Sequence, residues 1–288
     1  MMEKKICLVT GATSGIGEVT ARELARQGAH VVLLARNEAK ATQVQQEIKR
    51  ISGNDKVDVL LADLSSLEEV RGVAATFNSR YPRLDVLVNN AGLLLGRERQ
   101  VSADGYEQTL AVNHLAHFLL TALLFPKLLQ SPEPRIINVA SEAYRAARPD
   151  FNDLNLAHKY NAIRAYGNSK LFNIMFTREL ARRAQEQGYT HLVVNAVHPG
   201  MVASNFSVSA GGWLHFIFKL MSPFAISSEK GAETSIYLAS HPAADKYNGQ
   251  YFAKKKPKPV KHAFATPENA VKLWEVSEKL VGEKFCRF

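Results

Sequence analysis

Thr10-Gly11-Ala12-Thr13-Ser14-Gly15-Ile16-Gly17 joins a β-branched apolar run at residues 6–10 to an amphipathic stretch at 16–27. Three glycines between a strand and a helix let the backbone turn tightly and approach a ligand closely. The free N–H groups and the dipole of the helix that follows favour an anion such as pyrophosphate. The spacing is Gly-x-x-x-Gly-x-Gly rather than the Gly-x-Gly-x-x-Gly dinucleotide fingerprint. The Gly-Lys-Ser/Thr ending of a P-loop is missing. A glycine turn that only permits packing is the alternative reading; the strand before it and the helix after it favour phosphate binding.

Outward from this turn, apolar runs alternate with longer helical patterns. Residues 6–10, 30–35, 57–63, 86–89, 135–140 and 192–197 read as strands, and 16–27, 38–51, 66–80, 106–129 and 165–187 as helices. Such alternation predicts βαβ units and a parallel sheet covered on both faces. The expected fold is α/β, a Rossmann-like doubly wound parallel sheet in one domain over residues 1–288. No repeat or low-complexity block interrupts it.

Composition narrows the function. The chain has 288 residues, 46% of them apolar, enough for a large core. No run reaches the ~18 uncharged apolar residues of a membrane span, and residues 1–9 enter a strand pattern without the apolar region of a signal peptide. Two cysteines, Cys7 and Cys286, make neither a disulfide framework nor a thiolate metal site. A cytoplasmic setting is expected. The net charge of +9 is mostly dispersed along helices, with one dense run at 254–261. Prolines in that run argue against a recognition helix, and no nucleic acid is expected. No metal is expected either: His114 and His117 are three apart with no carboxylate or thiol to complete a site, and they read as packing or capping residues.

The end of the second strand reads Leu33-Leu34-Ala35-Arg36-Asn37. A carboxylate here would hold a ribose 2′-OH, whereas an arginine accommodates a 2′-phosphate. Arg36 therefore favours NADP(H). Asp63, after the third strand, is placed either to accept from an adenine amino group or to cap the next helix. Further along, Tyr166 and Lys170 lie four apart and share a helix face. A neighbouring cation favours a phenolate and lowers the tyrosine pKa towards the range useful for acid–base work.

These features join Asn89-Asn90-Ala91-Gly92, Asn113 and Ser141 in one order along the chain. Together they resemble the short-chain dehydrogenase/reductase family of the classical type, over residues ~4–250. The resemblance implies that Tyr166 is the catalytic acid/base and that Lys170 lowers its pKa and binds the nicotinamide ribose. By the same resemblance Ser141 holds the substrate oxygen and Asn113 positions a water in a proton relay. It places Gly11, Thr13, Ser14, Gly15, Ile16 and Gly17 on the pyrophosphate. Arg36 and Asn37 fall at the 2′-phosphate, Asp63 and Leu64 at the adenine, and Asn90, Ala91 and Gly92 at the adenine ribose. Pro199, Gly200 and Val202 fall beside the nicotinamide. Tyr160 and Tyr144 also have an arginine four residues on, but neither follows the motif.

A long connection between Ser141 and Tyr166, containing Pro149-Asp150-Phe151-Asn152-Asp153-Leu154, is similar to the retinol dehydrogenase-like branch. That branch implies a lipophilic aldehyde or ketone, retinal-like, or its alcohol. Another ring substrate (steroid, quinone or tetrapyrrole) and a non-catalytic NADP(H)-binding scaffold are the alternatives. Residues 201–228 read as the substrate lid. Gly211 and Gly212 would hinge it, and Trp213, Phe216, Ile217, Leu220 and Met221 recur at helical spacing as core, lid or peripheral membrane contact. A last helix is expected at 267–281. By family analogy, the helices at 106–129 and 165–187 would form a homodimer face.

Overall fold

The computed structural model describes residues 2–202 and 226–285. The lid residues Gly211 to Met221 and Cys286 lie outside them. One eight-stranded sheet runs through the described chain. Its strands are β1 (Ile6–Thr10), β2 (His30–Ala35), β3 (Val57–Leu61), β4 (Val86–Asn89), β5 (Arg135–Val139), β6 (Val193–His198), β7 (Tyr251–Ala253) and β8 (Lys256–Pro257). Their spatial order is β3-β2-β1-β4-β5-β6-β7-β8. The first seven are parallel and β8 is antiparallel to β7. The expected doubly wound sheet is the one found. Alternation along β1 and β2 explains the two cores. Leu8, Val32 and Leu34 enter one, while Cys7, Val9, Val31 and Leu33 enter the other. Successive residues of a strand point to opposite faces, so a strand buried on both must be apolar throughout.

Seven helices accompany the sheet among the described residues: α1 (Gly15–Arg26), α2 (Glu38–Ser52), α3 (Leu67–Arg80), α4 (Gln108–Leu128), α5 (Ala162–Glu186), α6 (Ser228–Ser240) and α7 (Pro267–Val281). Helix α4 is long and apolar enough to cross a membrane by composition, which the sequence reading did not anticipate, yet 89% of its apolar window is buried inside the protein. It carries Asn113, His114, His117 and Thr121 into the interior, all nearly inaccessible. A helix apolar on nearly every side is what a core position demands.

The basic run folds differently from a simple solvated face. Lys254 and Lys255 take φ of 52° and 60° and close the β7–β8 hairpin. Consecutive positive φ values give the turn twist that matches paired strands, usually at Asn or Gly. The Lys255 ammonium pairs with Glu233 at 2.8 Å, and its N–H donates to Thr234 Oγ1 at 3.2 Å.

Helix α7 spans the expected residues 267–281, with Thr266 Oγ1 accepting from Asn269 N–H. It packs over α4 and α5. The Trp274 ring lies 5.1 Å from Phe118, 5.9 Å from Phe176 and 4.5 Å from Phe285, with the Arg183 guanidinium 4.7 Å over it. The two helices expected at a dimer face are thus covered in good part by a helix of the same chain, and Leu171 to Thr177 are all buried. Truncating Trp274 removes the centre of this aromatic cluster. Trp274→Ala is expected to cost about 3–5 kcal/mol of stability, measured by chemical denaturation, as for other large aromatic deletions in cores.

Candidate active site

The glycine turn leaves the start of α1 open. Asn37, Ser66, Asn161, Ser227 and Thr266 each cap their helix through a side-chain oxygen. Ser14, the residue before α1, is extended and exposed and makes no such bond. The first N–H groups of α1 are orphans by geometry, and this end keeps them free of a side-chain cap. Gly17 completes the cradle: a Cβ there would collide with Gly11 O and Asn90 Nδ2. The Asn90 amide in turn donates to Thr10 O at 2.8 Å, which staples the end of β4 to the turn. Thr10 was not singled out in the sequence, yet its hydroxyl accepts from both Asn90 N and Ala91 N at 2.9 Å.

The other cofactor candidates line the same edge of the sheet. Arg36 follows β2, is exposed, and makes no hydrogen bond or ion pair with another described residue. Asn37 Oδ1 accepts from Lys40 N at 2.9 Å, so it also caps α2. Asp63 does not cap α3; Ser66 does. The Asp63 carboxylate instead accepts from Ser65 N at 2.8 Å in a local turn, and Leu64 beside it is buried. A Cβ on Gly92 would lie 3.4 Å from both Asn113 Oδ1 and Lys170 Nζ, which puts this loop at the centre of the catalytic candidates. Gly11, Thr13, Gly15, Ile16, Ala91, Pro199, Gly200 and Val202 fall at the carboxyl ends of β1, β4 and β6 or just beyond them. Ligands of open α/β sheets sit in that crevice, where the strand order reverses between β1 and β4.

Helix α5 carries Tyr166 and Lys170. It approaches the end of β5 closely because Gly167 has no side chain: a Cβ there would stand 2.9 Å from Ala143 O. The approach lets the Tyr166 hydroxyl hydrogen-bond with Ser141. Ser141 Oγ also accepts from Ala143 N at 3.2 Å, which fixes the short 3-10 turn Glu142–Ala146. Lys170 is 2% exposed, its ammonium donates to Val139 O at 3.0 Å, and it lies 5.5 Å from the centre of the Tyr166 ring.

Protonation departs from the expectation. Burial pulls the Lys170 ammonium down to about 8. Burial also pushes the Tyr166 phenol up to about 12, an effect that the Ser141 hydrogen bond only partly offsets. The sequence reading had Lys170 lowering the tyrosine. Desolvation of both groups outweighs the attraction, because removing a charge from water penalises the phenolate and the ammonium alike.

Asn113 sits in a π-helical turn, Ala111–Leu115, within α4. Such turns recur at functional sites because the extra residue re-aims a side chain. Its Oδ1 accepts from Leu93 N at 2.8 Å; its Nδ2 donates to Leu93 O at 3.0 Å and to Ser169 Oγ at 3.1 Å. Both amide hydrogens are used, and Oδ1 keeps one lone pair. Burial holds His114 down to about 4 and His117 down to about 3, so both are neutral packing residues. Among the described residues no cluster of histidine, cysteine and carboxylate side chains is arranged to hold a metal.

The sequence reading missed Glu142. Its carboxylate accepts from Tyr251 Oη at 2.8 Å, Arg145 Nε at 2.8 Å and Lys258 Nζ at 3.0 Å, and these partners hold it down to about 2. Its N–H donates to His198 Nδ1 at 3.3 Å. The residue after a strand-end serine was the available signal, but His198 and Tyr251 lie 56 and 109 residues along the chain. Tyr144 is wholly buried, and Tyr160 packs with Leu94, Ala162 and Tyr166 in a small apolar cluster.

A family model for short chain dehydrogenases matches residues 5–214. Mouse retinol dehydrogenase 12 is 38% identical, spanning 96% of this chain and 86% of that protein. Human retinol dehydrogenase 14 is 39% identical, spanning 98% and 88%. The crystal structure of an uncharacterized protein from Mycobacterium paratuberculosis matches with a TM-score of 0.78 and 31% identity, covering 99% of this chain and 96% of that one. With its parallel sheet and open glycine cradle, the chain belongs to the short-chain dehydrogenase/reductase family, in the retinol dehydrogenase-like branch, whose members are nicotinamide-dependent oxidoreductases of alcohol and carbonyl groups.

Proposed function

We propose that the protein is an NADP(H)-dependent oxidoreductase that interconverts a lipophilic aldehyde or ketone, retinal-like in character, with its alcohol. The observation that carries this reading is the hydrogen-bonded Ser141–Tyr166 pair at the carboxyl edge of the sheet, with the Lys170 ammonium behind it. Arg36 supports the choice of NADP(H), as an exposed cation at the end of β2 with no carboxylate beside it. The apolar group of Leu94, Ala162 and Tyr160 around Tyr166 supports a lipophilic substrate, as do the relatives' names.

The cradle of Gly11, Thr13, Ser14, Gly15, Ile16 and Gly17 would hold the pyrophosphate, and Arg36 with Asn37 the 2′-phosphate. Asp63, Leu64, Asn90, Ala91 and Gly92 would border the adenosine half. Pro199, Gly200 and Val202 would border the nicotinamide, and Lys170 its ribose. When bound, the nicotinamide supplies or accepts the hydride at the substrate carbon and, oxidised, brings a positive charge that favours the Tyr166 phenolate. Ser141 Oγ accepts from Ala143 N, and its proton, which faces Tyr166 Oη in the free protein, would turn to the substrate oxygen. In reduction the C=O double bond becomes a single bond as Tyr166 Oη gives its proton to that oxygen. In oxidation the phenolate takes the proton back. A phenol held at about 12 is protonated at neutral pH and suits the reductive direction. Asn113 and Lys170 lie together near Gly92, as a relay returning the proton would need.

Tyr166→Phe is expected to lower kcat for retinal or a medium-chain aldehyde by about 10²–10⁴-fold, the usual share of general acid catalysis. Unchanged turnover would contradict the mechanism. For the oxidative direction the rate should rise with pH as the phenolate forms, while the reductive rate falls in the alkaline range. Arg36→Ala should raise KM for NADPH by about ten- to a hundred-fold, the worth of a charge-assisted hydrogen bond, and leave KM for NADH unchanged. Equal effects on both cofactors would remove the 2′-phosphate assignment.

A further inference from the structure

His198 closes β6, directly before Pro199 and Gly200, and is partly buried. Its Nδ1 takes the N–H of Glu142, the residue after Ser141, at 3.3 Å. A backbone N–H cannot change its role, so Nδ1 must carry a lone pair and the ring proton must sit on Nε2. That amide opens the 3-10 turn and is one of the donors a helical start leaves unpaired. The next donor in the turn, Ala143 N, goes to Ser141 Oγ. One imidazole lone pair therefore ties the turn that orients the Ser141 hydroxyl to the strand end that leads into Pro199-Gly200.

We propose that His198 is a positioning residue for this reaction: its neutral Nε2–H form holds the Ser141 turn against the 198–200 segment, and protonation of the ring releases it. The inference rests on the oxidoreductase reading above and deepens it. An imidazolium presents N–H at both nitrogens, so Nδ1 then opposes the Glu142 N–H instead of accepting from it. Two charged groups face the ring from the described elements. Glu142, on the turn, favours the imidazolium; Lys258, beyond β8, opposes it. Tyr251 on β7 and Arg145 on the turn both donate to the Glu142 carboxylate. Burial is the largest influence, and the net effect sets the imidazole below its ordinary value. The neutral form is thus the stable one at neutral pH. The bond is lost as pH falls through the lowered value, so the expected failure is on the acid side.

Two variants separate this role from a general need for bulk. His198→Asn places an amide oxygen near the Nδ1 position and keeps an acceptor at every pH. His198→Leu keeps volume and has no acceptor. At pH 8, His198→Leu should show NADPH affinity and kcat/KM lower than His198→Asn by about ten-fold or more, as expected when a buried N–H is left unpaired. As the pH falls below the ordinary imidazole range, kcat/KM of the natural protein should fall along an acid limb that His198→Asn lacks. In the free protein, imidazole ¹⁵N shifts should report the Nε2–H tautomer of His198. An Nδ1–H tautomer, equal behaviour of the two variants, or the same acid limb in His198→Asn and the natural protein would overturn the proposal. Absence of turnover in the natural protein would instead count against the functional reading, and the tautomer measurement would still decide the role of His198.

Discussion

A single buried ammonium, that of Lys170, is the constraint on which the site is built. It is 2% exposed and donates to Val139 O, an acceptor it shares with Asn173 Nδ2. Taking an ammonium out of water costs several kcal/mol even after relaxation. The surroundings are arranged around that cost. β5 ends at Val139, and its carbonyl is reached from α5 by Lys170 and Asn173. Asn138 and Asn89 join β4 and β5 through a 2.8 Å bond and carry on to Thr121 and Thr177 on the flanking helices. These polar links fix the spacing of α4 and α5 relative to the strand ends, and with it the place of Lys170 and Tyr166. His117 lies near Lys170 as a neutral ring, chiefly because it is buried and in addition because a second cation there would raise the cost further.

The same arrangement separates two kinds of helix start. Six helices spend a side-chain oxygen on their first turn, Glu107 serving α4 as Asn37, Ser66, Asn161, Ser227 and Thr266 serve the others. Helix α1 does not, and it faces the crevice where the strand order reverses. The donors left over at α1 and the cation left over at Arg36 lie on the same edge of the sheet as the Ser141–Tyr166 pair. The binding and catalytic candidates thus lie on one edge, and the opposite edge of the sheet holds a polar cluster of its own. There Asp85 takes Ile6 N at 2.8 Å and Arg83 at 3.0 Å.

The fold was legible because a doubly covered parallel strand must be apolar at every position. The stretch Val31-Val32-Leu33-Leu34 has no other economical use. Gly17 and Gly167 were legible as small residues, but only the structure shows which backbone atoms they admit. The catalytic candidates were legible as a set because their residue types and order resemble a family pattern, although only Ser141 follows a strand while Asn113, Tyr166 and Lys170 lie on helices. Three things were not. The π turn at Asn113 depends on an extra residue inside a helix, and helical periodicity averages it away. The β7–β8 hairpin is five residues of strand with lysines at left-handed positions, which no alternation pattern reports. The knot of Glu142, Tyr251, Lys258 and His198 joins residues far apart in the chain, and its direction of charge shift depends on burial. For the same reason the Tyr166–Lys170 pair was found from its spacing while its protonation was read in the wrong direction.

The protonation of Lys170 tests this account most directly. Heteronuclear NMR of lysine-labelled protein, with the resonance assigned by a Lys170→Met variant, follows its amine through the pH range. The account predicts loss of the proton at about 8 in the free protein. Titration near ~10.4, the value of a solvated lysine, would contradict the claim that a desolvated cation governs the site.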